Sequence, residues 1–444
     1  MGVRNLLLGS MVVLQLAWFA VRTRVIDAPV DAALIGLAAL AATSGAVLAF
    51  AGSLRAAGAA FVARTFDSER KRLAALAFVS LVIGAALAVA TRRPGWDETP
   101  VFRTSRVVTV AGVSEFLHVY RRSRWLSRGH PPGVPVAFGL LMRVFGKRLL
   151  VLRLASVLLT TGTLVVAVYI VRSLLGERIA VGAGLLLLAC PLFVRLGAAA
   201  MNDNAVTFFF TCSVALALAM AETRDDPTDA RRAWRLALLL GVCAGAGLLS
   251  KYTAIFFWPV AIAILAVHRR LVARAPQLIL AGLLAGAMLG GWLWFARSIG
   301  VLELQVKWLG WGTHFATHSR SGQRYTLDAI VSKLPSAIGV YNLPVFALGL
   351  FALARRRDRD VLVIALWATL PVLPILLTIP DVRYVLPAFP AIATVMALGL
   401  DRVKDGPSRF SVFTLALVLC ATVAMYFLTV PTSQRAALFG VHLP

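Results

Sequence analysis

A chain of 444 residues that is 59% hydrophobic and only 15% charged, with a mean hydropathy of +0.82, is too apolar to be a soluble protein, in which about a quarter of residues are charged. Its 45 Lys and Arg against 20 Asp and Glu give a net charge of +25, which would suit a nucleic-acid backbone. The basic residues, however, stand between apolar runs, where the positive-inside bias of membrane proteins puts them, so the expected partner is the lipid bilayer and not nucleic acid.

Apolar runs long enough to cross a hydrocarbon core about 30 Å thick recur along the chain. They predict an all-α, polytopic membrane bundle of about 13 transmembrane helices, at 5–22, 29–53, 73–91, 151–171, 178–197, 204–221, 236–250, 252–267, 277–296, 336–354, 361–379, 384–400 and 410–430. The first resembles a signal peptide but lacks a convincing small-residue cleavage site, so it reads as a retained anchor. Two long connectors stand out, 92–150 and 297–335. The apolar stretch 133–146 would rise only about 21 Å as a helix and is read as half-inserted or interfacial. Cys190, Cys212, Cys243 and Cys420 lie in apolar segments and give no disulfide framework.

Short basic loops alternate along this plan: 64–72, 172–178, 230–235, 268–274, 355–359 and 401–404. With a cytoplasmic N-terminus they all fall inside, and both long connectors fall on the outer face. No predicted span carries an ionisable residue near its middle, whereas carriers use such groups at membrane depth. Polar chemistry is therefore expected in the outer loops, which favours an enzyme over a transporter.

The first outer loop opens with "GWDETP", two adjacent carboxylates, Asp97 and Glu98, directly after a span. From Arg92 to Arg153 it holds twelve basic residues against three acidic ones, among them Arg121, Arg122 and Arg124. Such a cluster fits either lipid headgroups or a phosphate-bearing ligand. Between them, Val107, Val110, Val113, Leu117 and Tyr120 recur at helical spacing and predict an amphipathic surface helix. In "SRGHPP", His130 precedes two prolines that can start a helix near Pro132. Asp203 lies at a helix start, where capping alone would explain a carboxylate. Lys251 interrupts the turn between two spans. Asp381, Arg383 and Tyr384 share a very short outer turn. His314 and His318 are four apart in the second long connector, but without a third ligand no metal site is assigned.

The ordered set of "DE" after a span, "PP" about thirty residues on, "RLAS" at 153–156, "GERIAVGAGLLLLACPLFVRLGAAAMND" at 176–203, "GLLSK" at 247–251 and "RYVLPAFP" at 383–390 resembles the GT-C fold membrane glycosyltransferases of the protein-mannosyltransferase and aminoarabinose-transferase superfamily. The likeness covers most of 73–400. It implies a glycosyltransferase core at 73–400, preceded by two extra N-terminal spans and a basic cytoplasmic linker (1–72) and followed by a C-terminal span and short tail (401–444). It also implies a polyprenyl-phosphate-linked sugar as donor and an unknown protein, lipid or glycan acceptor. Asp97 matches the family's catalytic carboxylate of the first outer loop, with Glu98 beside it, and Asp203 matches the acidic residue of the second, so the resemblance implies these three as the catalytic residues. Lys251 and Arg383 match basic positions that would hold the donor phosphate, with Arg121, Arg122, Arg124 and His130 as further candidates. Tyr384 and His314 are other candidate site residues. His130 stands where the family often has lysine.

The expectation is thus an integral membrane hexosyl- or pentosyltransferase of inverting stereochemistry, with its active site on the outer face of the plasma (inner) membrane. No cofactor is required by this reading, and a divalent cation is left open. The alternatives are a lipid-linked glycan flippase and a non-catalytic envelope assembly protein.

Overall fold

The computed structural model describes residues 69–91, 97–122, 130–224, 226–310, 333–335, 337–339, 342–356, 358–373 and 382–402. Six helices among them are long and apolar enough to cross a membrane, or seven if one bent pair counts as a span. The expected spans 5–22, 29–53 and 410–430 lie outside the described residues.

Helix α1 (Glu69–Ala90) leads to α2 (Glu98–Val119), α3 (Gly133–Phe145) and α4 (Leu149–Leu175). Next come α5 (Glu177–Leu188) and α6 (Pro191–Gly197), bent by 69° where 178–197 was expected to run straight. Pro191 explains the break, because a proline cannot continue the preceding hydrogen-bond ladder but can begin a new helix. Then follow α7 (Asn202–Ala221), α8 (Pro227–Ser250), a 3₁₀ turn (Tyr252–Phe256) running into α9 (Phe257–Val267), and α10 (Ala275–Ser298). The chain continues through α11 (Leu302–Gly310), α12 (Leu343–Arg355) and α13 (Arg359–Thr369), and ends in a 3₁₀ segment (Val382–Ala388) that continues as α14 (Phe389–Arg402). Among the described residues the apolar helices Tyr252–Val267 and Leu343–Arg355 are shorter than a full crossing, and the expected span 361–379 runs on outside the described residues. Prolines mark two helix ends: α12 starts at Leu343-Pro344, and α13 stops before Pro371.

Two buried apolar clusters hold the bundle together. One joins α1, α4, α5, α6, α12 and α14, and the other joins α7, α8, α9, α10 and α13 with parts of α4 and α14. Close backbone approach helps. A Cβ on Gly349 of α12 would lie 2.1 Å from the Val395 carbonyl oxygen of α14, so only glycine fits there.

Helix α2 keeps most of its expected face, with Tyr120 buried and Val107, Val113 and Leu117 packed against the same cluster. Val110 is the exception at 67% exposed, and the buried side also carries Val101, Thr104, Ser105, Val108, Thr109 and Phe116. The hydroxyls make this possible: Ser105 donates to the Val101 carbonyl (2.8 Å) and Thr109 to the Ser105 and Gly139 carbonyls (both 2.9 Å). Polar residues whose donors are satisfied locally can be buried. Gly112, at φ 88°, then breaks the helix. The 13-residue α3 packs on this face.

The two ends of the bundle are chemically unlike. At one end Arg72 pairs with Glu177 (2.6 Å), and Arg178 and Arg356 both reach Asp401 (3.5 and 3.9 Å). Arg274 donates there to the carbonyls of Thr223 and Arg224 (3.0 and 2.8 Å). Those are the short basic loops. The starts of α2, α3, α4 and α7, the end of α8 and the start of the 382–388 segment meet at the opposite end.

Candidate active site

At that second end, two acid–base pairs face each other across chain separations of 48 and 286 residues. Asp97 precedes the first turn of α2 with its side chain uninvolved in capping. Its Oδ2 instead accepts from the Arg383 guanidinium. The two side chains are 20% and 14% exposed. Asp203 lies in the first turn of α7, and its Oδ1 accepts from Lys251 Nζ at 2.6 Å. The capping explanation of Asp203 is thereby supplemented by a named partner. Lys251 terminates α8 in an extended conformation, which aims its side chain back across the site. Its Nζ also sits 3.9 Å from the centroid of the Tyr384 ring, within cation–π range.

The His130-Pro131-Pro132 turn completes the cluster. Pro132 is the residue before α3, and Gly133 presses on the end of α8, where a Cβ would come 2.5 Å from the Leu249 carbonyl oxygen. The His130 carbonyl accepts from the Tyr120 hydroxyl. Burial lowers the imidazole pKa to about 3, aided by the positive charges of Lys251 and Arg383 and opposed by Asp203. His130 therefore sits in the cluster as a neutral ring, which can meet a phosphate as a hydrogen-bond donor but adds no charge.

Beneath this turn the Tyr120 ring meets Trp292 edge-on (centroids 4.9 Å apart). Trp292 Nε1 donates to the Tyr252 hydroxyl (2.9 Å), which itself donates to Gln305 of α11. These buried partners fix the chain on either side of Lys251 and His130.

Glu98 is separated from the cluster although it adjoins Asp97. Its side chain is 3% exposed and is held by Arg153 through two parallel hydrogen bonds, Nε to Oε1 at 2.9 Å and Nη2 to Oε2 at 2.8 Å. Oε1 also accepts the Ala200 backbone N–H at 2.8 Å. Arg153 reaches further, to the carbonyls of Ala88 (3.2 Å) and Thr91. This clamp ties the end of α1, the starts of α2 and α4, and the turn before α7 into one unit. Nothing in local spacing revealed Arg153 as its partner, 55 residues away.

The remaining expected residues lie apart. Arg121 and Arg122 are exposed at the end of α2, the former with its guanidinium over Gly300. Arg124, Asp381, His314 and His318 lie outside the described residues. Among the described residues no group of three or more His, Cys, Asp or Glu side chains is placed to hold a metal ion.

Residues 129–295, less than half of the chain, match the family described as dolichyl-phosphate-mannose-protein mannosyltransferase. No curated protein matches the sequence. Among solved structures, the ArnT of Cupriavidus metallidurans bound to undecaprenyl phosphate aligns with a TM-score of 0.64 at 17% identity, over 83% of this chain and 80% of that one. Its apo state aligns at 0.58 and 18% identity, over 82% and 78%. The Archaeoglobus fulgidus oligosaccharyltransferase complexed with zinc and sulfate aligns at 0.51 and 14% identity, over 80% of this chain but 52% of the longer relative. The chain is a multi-pass membrane protein with the fold of the GT-C glycosyltransferases.

Proposed function

We propose that this protein transfers a sugar from a polyprenyl-phosphate donor to an acceptor hydroxyl at the outer face of the membrane, with inversion at the anomeric carbon. The observation that carries the reading is the pairing of a part-exposed carboxylate, Asp97, with a guanidinium, Arg383, beside a second cation, Lys251, at the end of the bundle away from the basic loops. The positive-inside rule puts that end outside. The bound lipid of the ArnT relative, undecaprenyl phosphate, supports the donor class, and the family matched by 129–295 supports a sugar-transfer activity.

The donor is a sugar phosphodiester with one negative charge, and the departing lipid phosphate monoester carries up to two. Cations fixed beside the phosphate therefore gain attraction as the bond breaks, which is the kind of interaction that lowers a barrier. Arg383 and Lys251 are the cations so placed. Entry of the phosphate competes with the carboxylate of Asp97 for Arg383 and frees that carboxylate to act as base. The acceptor O–H proton passes to Asp97, the acceptor oxygen bonds the anomeric carbon, and the bond from that carbon to the phosphate oxygen breaks. Asp203 holds Lys251 in place over Tyr384, and Glu98 belongs to the scaffold. Arg121, Arg122 and Arg124 guide the anionic donor from the membrane surface.

The test is to incubate the purified full chain with radiolabelled undecaprenyl-phosphate mannose, glucose and arabinose, together with a crude envelope acceptor fraction. Label should move from lipid to acceptor. Failure of the protein to bind undecaprenyl phosphate or any of the three donors would sink the reading.

A further inference from the structure

Next to Asp203, the side chain of Asn202 is 5% exposed, and neither its amide nitrogen nor its carbonyl oxygen has a hydrogen-bond partner among the described residues. A buried amide with both ends unpaired is a penalty that folded proteins rarely carry. The nearby Asn204 is different: its amide donates to the carbonyls of Leu196 and Ala199 at 2.6 and 2.8 Å, closing the turn into α7. Asn202 has no such task.

Its direction follows from helical spacing. Ala205 and Phe209, three and seven residues on, share its face and pack with Val101 of α2 and Val134 and Phe138 of α3. Side chains on a helix lean toward its N-terminus, so Asn202 is directed one turn back along that face. There lie the starts of α2 and α3, which carry Asp97 and the His130–Gly133 turn.

We infer that Asn202 is a substrate-binding residue that pairs with neighbouring hydroxyls of the sugar being transferred. An amide presents donors and an acceptor side by side. A phosphate offers only acceptors and would face the carbonyl oxygen with like charge. A metal cation would use the oxygen and leave the NH₂ stranded. Two neighbouring sugar hydroxyls each donate and accept, so they satisfy both ends at once. The inference rests on the proposed function and adds to it a residue that reads the sugar, separate from those that hold the phosphate.

The test compares the full-length protein with Asn202→Leu and Asn202→Ala, using undecaprenyl phosphate and its mannose, glucose and arabinose phosphodiesters as probes. Both variants should bind bare undecaprenyl phosphate as the wild type does. Their affinity for the best sugar-bearing donor should fall about tenfold or more, while the thermal midpoint of Asn202→Leu holds or rises because an unpaired buried amide is gone. On the wild type itself, monodeoxy forms of that donor, one hydroxyl removed at a time, should include one that binds about tenfold or more weakly. Monodeoxy donors that all bind like the parent would overturn the inference whatever the variants do. Variants that keep wild-type donor affinity overturn it as well, with the function intact. A wild type that binds no probe at all removes the proposed function and this residue's role with it.

Discussion

Asp97 and Glu98 are consecutive, yet they belong to two regions with opposite physics. Glu98 is sealed in the clamp, with both oxygens taken by Arg153 and one of them also by the Ala200 N–H. Asp97 keeps a fifth of its side chain exposed and shares a guanidinium that a ligand can reach. A buried pair with every lone pair satisfied resists change, because removing either partner strands a charge in a medium of low dielectric. A part-exposed pair can exchange partners at modest cost. Adjacent carboxylates are thus divided: Glu98 is locked into the scaffold, and Asp97 is left open to act as the base of the proposed reaction.

Breaking the clamp should have the largest effect. Arg153→Met leaves the Glu98 carboxylate buried without a counter-charge from Arg153, and a loss of roughly 3–5 kcal/mol of stability is expected, read as a large fall in thermal midpoint or in folded yield. The double variant Glu98→Leu/Arg153→Met should recover much of that loss, since apolar replacement of a whole buried pair is often tolerated. A single variant as stable as the wild type would erase the distinction between the two regions. Next in size is Asp97→Asn, which keeps shape and removes basicity: turnover should fall about 10²-fold or more with donor binding and thermal midpoint nearly unchanged. Glu98→Gln should instead lose stability and activity together. If Asp97→Asn turns over normally, the base lies elsewhere.

A smaller effect separates the cations. Arg383→Lys retains the charge but not the planar fork that can meet a phosphate at two points. Turnover and undecaprenyl-phosphate affinity should drop roughly tenfold, the worth of about one hydrogen bond. Equal affinity for lysine and arginine at this position would mean that the phosphate is held by charge alone.

Much of this arrangement was legible beforehand, and the exceptions have physical causes. Apolar runs revealed the membrane bundle because hydrocarbon tolerates little else. They could not show that 178–197 bends, since Pro191 breaks the ladder locally and tertiary packing decides how each helix is set. Asp97, Asp203, Lys251, Arg383 and Tyr384 were singled out as charged or aromatic residues at the mouths of spans, and the fold draws them together. The buried face of α2 was read too narrowly, because hydroxyls bonded to their own helix carbonyls, as in Ser105 and Thr109, also behave as core residues. Arg153 and Asn202 were not singled out: the first looks like an ordinary basic flank of a span, and the second's unpaired amide is visible only in three dimensions.

The smallest predicted effect concerns protons. The His130 pKa of about 3 in the folded protein lies below the roughly 6.5 of an unfolded histidine, so the unfolded chain takes up a proton that the folded one refuses. Well above pH 6.5 the cost vanishes. As pH falls from there toward 3 the stability should decline, by roughly 1 kcal/mol on going from pH 7.5 to 6, and the dependence should flatten below the folded pKa. Desolvation is the main cause, with Lys251 and Arg383 adding repulsion and Asp203 partly offsetting it. Comparing thermal midpoints of the wild type and His130→Gln across pH 5–8 isolates the contribution, because glutamine cannot titrate. The wild type should lose ground to the variant as the solution is acidified. Were it to gain instead, the imidazole would be protonated in the folded state, and His130 would count among the cations of the open cluster after all.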